Sequence, residues 1–197
     1  KELRGEECID MEYVAPKKKS IMVFRSFGYN VSDRDSVFAA LTQFGSMAAA
    51  KLRAQGSKAK YVSVFIRTNR FRKGEESYKP AIRIPLPVAT SSSVEIAQYI
   101  DIALMAMYRE GLDFRQAGVM LSGICDEETV QGNIFDCRDR QKEERLMKVM
   151  DAVDERYGRD TLRLLSTMGG NQFWGSRVLR PIPGWTTRKK ECPVAVA

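Results

Sequence analysis

A chain of 197 residues, 44% hydrophobic and 29% charged, has room for one medium domain or two small ones and the composition of an ordinary globular fold. Its net charge of +7 comes without a single histidine, which excludes Ser-His-Asp and Cys-His catalysis. The four cysteines (Cys8, Cys125, Cys137, Cys192) form no C-x-x-C pair and argue against a zinc site.

Residues 1–19 read as a polar tether ending in Ala-Pro-Lys-Lys-Lys. The start, KELRGEECID, has no apolar run behind it, so no signal peptide is read there, and scattered cysteines then point to reduced thiols in a cytoplasm. No apolar run approaches the roughly 20 residues of a membrane helix. The first residue is Lys rather than Met, and the expectation is a piece of a longer chain. SIMVFRSFG (Ser20 to Gly28) reads as a strand of β-branched and aromatic residues. Ser32 or Asp33 can cap the helix that follows, whose apolar face is Val37, Leu41, Phe44, Ala48 and Leu52, and Gly56 stops it.

KYVSVFIRTN (Lys60 to Asn69) is a second strand, with Val62, Val64 and Ile66 on one face and Tyr61, Ser63, Phe65 and Arg67 on the other. FRKGEESYKP is a loop. AIRIPLPV is a third strand, and its two prolines place it at a sheet edge. One of Ser91 to Ser93 caps a second helix with the stripe Ile96, Ile100, Leu104 and Met107; DFRQAGVMLSGI is a fourth strand.

The order β-α-β-β-α-β is that of a split βαβ, ferredoxin-like α+β domain over residues 20–122: a four-stranded antiparallel sheet with both helices on one face. The other face is bare, and it is expected to carry Arg25, Arg67 and Arg83. From Lys17 to Arg83 there are 15 Lys/Arg against 4 Asp/Glu, a local net of +11, which points to a polyanion such as nucleic acid. A merely solvated basic face is the alternative.

Residues 123–141 form an acidic linker that contains QGNIF, Gln131 to Phe135, two large apolar residues in a run without a core. KEERLMKVMDAVDERYG is a third helix with the stripe Leu146, Val149, Met150, Val153 and Tyr157, and TLRLL reads as a short strand. The last thirty residues, rich in Gly, Pro and Trp, complete a small module over 142–197. No phosphate-binding glycine loop and no carboxylate pair of a two-metal site is present, so no catalytic or metal residue is assigned.

Taken in order, ELRGEECIDMEYVAPKKK, RSFG, FIRTNRF, QAGVMLSGI, QGNIFD, LMKVMDAVDERYGRDTLRL and PGWTTRKKECPVAVA resemble the UmuC/RumB-like catalytic subunits of DNA polymerase V, Y-family translesion enzymes. The resemblance spans essentially the whole chain and corresponds to the C-terminal half: little finger, linker and C-terminal extension. The family's usual tyrosine before the paired threonines is here Trp185. The resemblance implies that the palm is missing, so that no polymerase activity, cofactor or catalytic residue resides here and Mg2+ belongs to the absent part.

It further implies that Arg25, Ser26, Arg67, Thr68, Arg70 and Arg83 grip backbone phosphates of primer-template DNA without reading sequence. It implies that Gln131, Ile134 and Phe135 form a hook for the β sliding clamp, of the form Gln-x-x-(Leu/Ile/Met)-Phe. It implies a UmuD′-like dimer and a RecA filament as partners, with Phe173, Trp174, Trp185 and Thr186 as contacts, an SOS-mutagenesis setting, and no membrane. Two other classes stay open. An RNA-recognition module would stack bases on third-strand aromatics, which AIRIPLPV lacks; a ligand-sensing regulatory domain would need a helix–strand pocket.

Overall fold

A computed structural model describes residues 2–5, 16–69 and 77–169. Strand β1 (Ser20–Val31) leads to helix α1 (Arg34–Ala54) and strand β2 (Ser57–Thr68); β3 (Ala81–Thr90), α2 (Ser93–Met107) and β4 (Phe114–Asp126) follow. The sheet is antiparallel throughout, in the order β1-β4-β2-β3. Strands β1 and β2 flank β4, and β3 and β4 flank β2, so each βαβ unit is split by a strand of the other. Proline-bearing β3 is at an edge, as its missing N–H donors require.

Alternation builds the core. Ile21 and Val23 of β1, Val62, Val64 and Ile66 of β2, and Ala117, Val119 and Leu121 of β4 are buried with Val37, Leu41, Phe44, Ala48 and Leu52 of α1. The α2 stripe Ile96, Ile100, Leu104 and Met107 completes it. Each helix starts on a side-chain cap: the Asp33 carboxylate accepts from the Ser36 N–H at 2.8 Å, and the Ser92 hydroxyl accepts from the Glu95 N–H at 3.4 Å. No helix among the described residues is long and apolar enough to cross a membrane.

Helix α3 (Arg140–Tyr157) docks differently from expectation. Its predicted stripe is largely open: Leu146, Val149 and Tyr157 are exposed, and Met147 is the buried residue. The docked face is ionic. The Arg53 guanidinium of α1 spans the Asp151 carboxylate with two contacts of 2.6 Å, and Lys58 of β2 meets Glu144 at 2.5 Å. TLRLL forms no strand; a 3-10 turn covers Leu165–Thr167. The Asp154 carboxylate accepts the N–H groups of Asp160, Thr161 and Leu162, donors that a sheet ladder would have used.

Candidate nucleic-acid face and linker peptide

The sheet face turned away from the helices is read from the strand register. One row runs Met22, Met120, Ser63, Arg83; the next runs Phe24, Gly118, Phe65, Ala81; a third runs Ser26, Gln116, Arg67. Arg67 and Arg83 are therefore on this face, exposed, with Ser26 beside them. The Ser26 hydroxyl accepts from the Gln116 amide at 3.0 Å.

Two of the expected contacts are elsewhere. Arg25 pairs in register with Ala117, which pairs with Ile66, so it has the parity of the helix-covered face. Phe24 is the residue of β1 on the open side, and Arg25 is exposed on this edge strand with the other parity. Thr68 is buried, and its hydroxyl accepts from the Tyr78 N–H at 2.9 Å, holding the end of β2 to the segment before β3. Arg70 lies outside the described residues.

The open face carries a feature that the arginine count missed. The Phe65 ring lies on Gly118, where an added Cβ would sit 2.5 Å from the ring, and Tyr61 lies on Gly123 with the matching distance 2.7 Å. Glycine lets a ring lie flat on the neighbouring strand; any side chain would lift it. The Arg67 guanidinium stands 5.6 Å from the Phe24 centroid and 5.8 Å from that of Phe65, and Arg83 is 3.9 Å from Tyr61. Cation–π contact narrows each arginine's motion while leaving N–H donors for a phosphate. The cue was present in the sequence: Tyr61 and Phe65 have the parity of Arg67, and Gly118 and Gly123 interrupt β4.

The basic segment is also less basic in space than in order. Lys17 pairs with Asp126, Arg34 with Asp101 at 2.6 Å, Arg53 with Asp151 and Lys58 with Glu144. Charges read as free in sequence hold the fold together instead. Arg67 and Arg83 are the cations that the register sets on the open face.

The linker peptide is on the opposite side of that ledger of exposed and buried groups. Ile134 is 98% and Phe135 88% exposed, and Gln131 is exposed as well. The Asn133 side chain accepts from the Phe135 N–H at 3.0 Å, and its carbonyl accepts from the Asp136 N–H at 3.0 Å, so the two apolar residues occupy the corner of a turn. The linker is shorter than 123–141: β4 continues to Asp126 and α3 begins at Arg140. Burial alone would push the Asp136 carboxyl up, but hydrogen bonds from Arg140 and the Arg138 N–H hold it below the usual carboxylate range. Phe173, Trp174, Trp185 and Thr186 lie outside the described residues.

Among the described residues no three His, Cys, Asp or Glu side chains gather as a metal cluster. The described residues thus offer no ligand set for the Mg2+ that the resemblance attaches to the longer protein.

Residues 18–134 match the family described as "impB/mucB/samB family C-terminal domain", and residues 144–195 match a domain of unknown function. Protein UmuC of Salmonella typhimurium is 32% identical over 189 residues, 95% of this chain and 44% of that protein. Protein MucB of Escherichia coli is 34% identical over 196 residues, 99% of this chain and 46% of that protein. The chain thus spans less than half the length of these relatives. A solved complex of a beta-clamp processivity factor with the little finger domain of PolIV is similar at a TM-score of 0.39 and 10% identity, over 59% of this chain and 99% of that one. With a family match covering more than half of its residues, the chain belongs to the impB/mucB/samB family, through the C-terminal domain of that family.

Proposed function

We propose that this chain is the DNA-holding and clamp-docking portion of an error-prone translesion polymerase, acting in the cytoplasm during the SOS response to DNA damage. The observation that carries the reading is the Ile134–Phe135 pair, almost fully exposed at a turn three residues after Gln131. Other large apolar side chains are exposed too, Leu165 and Met105 among them, but these two are adjacent, nearly bare and held at a linker turn where a partner can take them up. The Gln131 amide supplies a donor and an acceptor at the rim.

The open sheet face supports the second half of the reading. Arg67, Arg83 and the Ser26 hydroxyl offer donors to backbone phosphates, and none of them needs to read a base edge. Sequence indifference suits an enzyme that meets damaged templates. The resemblance extends the proposal to a UmuD′-like dimer and a RecA filament as further partners. Polymerisation and its Mg2+ chemistry belong in this proposal to the parts of the longer relatives that this chain does not span.

A fluorescence titration with primer-template DNA at two salt concentrations tests the first claim. Affinity is expected to fall by close to one log unit per contacted phosphate per log unit of salt. Absent or salt-insensitive binding overturns it. For the second claim, Gln131→Ala with Phe135→Ala is expected to abolish co-elution with the sliding clamp and to leave DNA binding unchanged; retained co-elution refutes it.

A further inference from the structure

The loop that presents Ile134 and Phe135 is fastened at both ends. At its root the Glu127 N–H donates to the Gly56 carbonyl at 3.2 Å, and the Thr129 hydroxyl donates to the Asp126 carbonyl at 2.9 Å. At its far end stands Glu95, in the first turn of α2. It is 1% exposed, and it is the one charged residue among the described residues that is buried. Arg140 reaches its two carboxylate oxygens at 3.1 and 3.4 Å, and Arg138 approaches at 3.9 Å. Arg138 also donates to the Gln98 side chain, and Arg140 to Asp136, the residue that follows Phe135.

A carboxylate cannot stay buried and ionised without partners; its desolvation has to be offset by nearby opposite charge. The guanidiniums that meet Glu95 come from the loop's end, three and five residues beyond Phe135. Burying Glu95 therefore fixes that end of the loop. Burial works against the charge on Arg140, but the hydrogen bonds it donates to Glu95 and Asp136 hold it more firmly protonated than usual.

We infer that Glu95, far from the peptide in sequence, is the positioning residue of the clamp-binding loop. Through Arg138 and Arg140 it keeps the turn at Asn133–Asp136 formed before the partner arrives. This rests on the clamp reading above. A pre-formed turn pays less ordering entropy on binding than a free strand of the same residues. The expected gain is about tenfold in affinity, appearing as slower dissociation.

The test compares binding to a bacterial β sliding clamp by the full chain and by a free peptide of residues 127–139. The chain is expected to bind about tenfold more tightly than the peptide. Glu95→Gln and Arg138→Ala are each expected to fall to the peptide's level, while amide exchange rises across residues 130–137 and stays slow in β2 and β4. Phe135→Ala reports on the clamp reading itself. Loss of binding in both chain and peptide upholds that reading; retained binding removes it and this inference together. Should Phe135→Ala abolish binding while Glu95→Gln and Arg138→Ala bind like the parent chain, the positioning role is overturned and the clamp reading stands. If Glu95→Gln does not fold, Arg138→Ala, at a guanidinium already 31% exposed, decides the matter alone.

Discussion

Arg67 and Arg83 stack on rings, and that fixes what their removal does. Arg67→Ala is expected to weaken DNA binding by a similar factor on unrelated primer-templates and to lower the salt slope by about 1. Arg67→Lys keeps the charge but loses the planar stack, and is expected to fall between the two. Anisotropy titrations on two templates read both quantities; a loss confined to one template contradicts a phosphate contact. Asp33 belongs to the same scale. Hydrogen bonds from the Ser36 hydroxyl and then the Ser36 N–H hold its carboxyl below the ordinary range. A carboxyl lowered in the folded state adds stability above its unfolded value, and that share is lost as pH falls through the folded one. Stability should therefore decline below about pH 4. Asp33→Asn should keep the cap and remove the Asp33 share of that decline, and Asp33→Ala should cost about 1 kcal/mol at neutral pH. Urea midpoints across pH measure each.

At the scale of elements, the β4 glycines and the face of α3 are the places to press. Gly118→Ala puts a methyl group where the Phe65 ring lies and is expected to displace that ring, breaking the 5.4 Å Phe24–Phe65 pair that Arg67 covers. DNA affinity should drop while the helix-side core, reported by far-ultraviolet dichroism, persists. Arg53→Ala strands the Asp151 carboxylate and the Ser91 carbonyl that the same guanidinium meets at 2.7 Å, at a cost of about 2 kcal/mol. Most elements were legible in the sequence because they repeat a period: Val62, Val64 and Ile66 at two, Val37 to Leu52 at three and four. Arg25 was misplaced because Phe24 and Phe27 offer two aromatic parities in one strand, and the shift in register between Ser26 and Val31 leaves no local cue to choose. The α3 stripe misled for another reason. Periodicity marks an apolar face without saying that this face is the docked one, and here ion pairs from α1 and β2 decided the orientation. The turn peptide was legible as an outlier, but its fastening to Glu95 spans some forty residues and has no signature along the chain.

For the whole molecule, α3 neutralises cations that the sheet domain contributes. A chain ending at Ile134 should lose Asp151 beside Arg53, Glu144 beside Lys58 and both arginines beside Glu95, leaving Lys58 with Glu127 at 3.7 Å. It is expected to stay folded on its sheet–helix core, to unfold several degrees lower in a thermal melt, and to bind DNA more tightly at low salt because the carboxylates of Asp151 and Glu144 no longer offset Arg53 and Lys58. Equal melting temperatures for the two lengths would contradict the docking of α3. The first and last strands of the sheet are neighbours, with Ser20 opposite Ser122 and Lys17 paired to Asp126. The first strand of the domain thus begins at the corner where the last one ends. Rotation about that corner would carry the arginine-bearing face, the peptide loop fastened to Glu95 and the docked α3 together as one body.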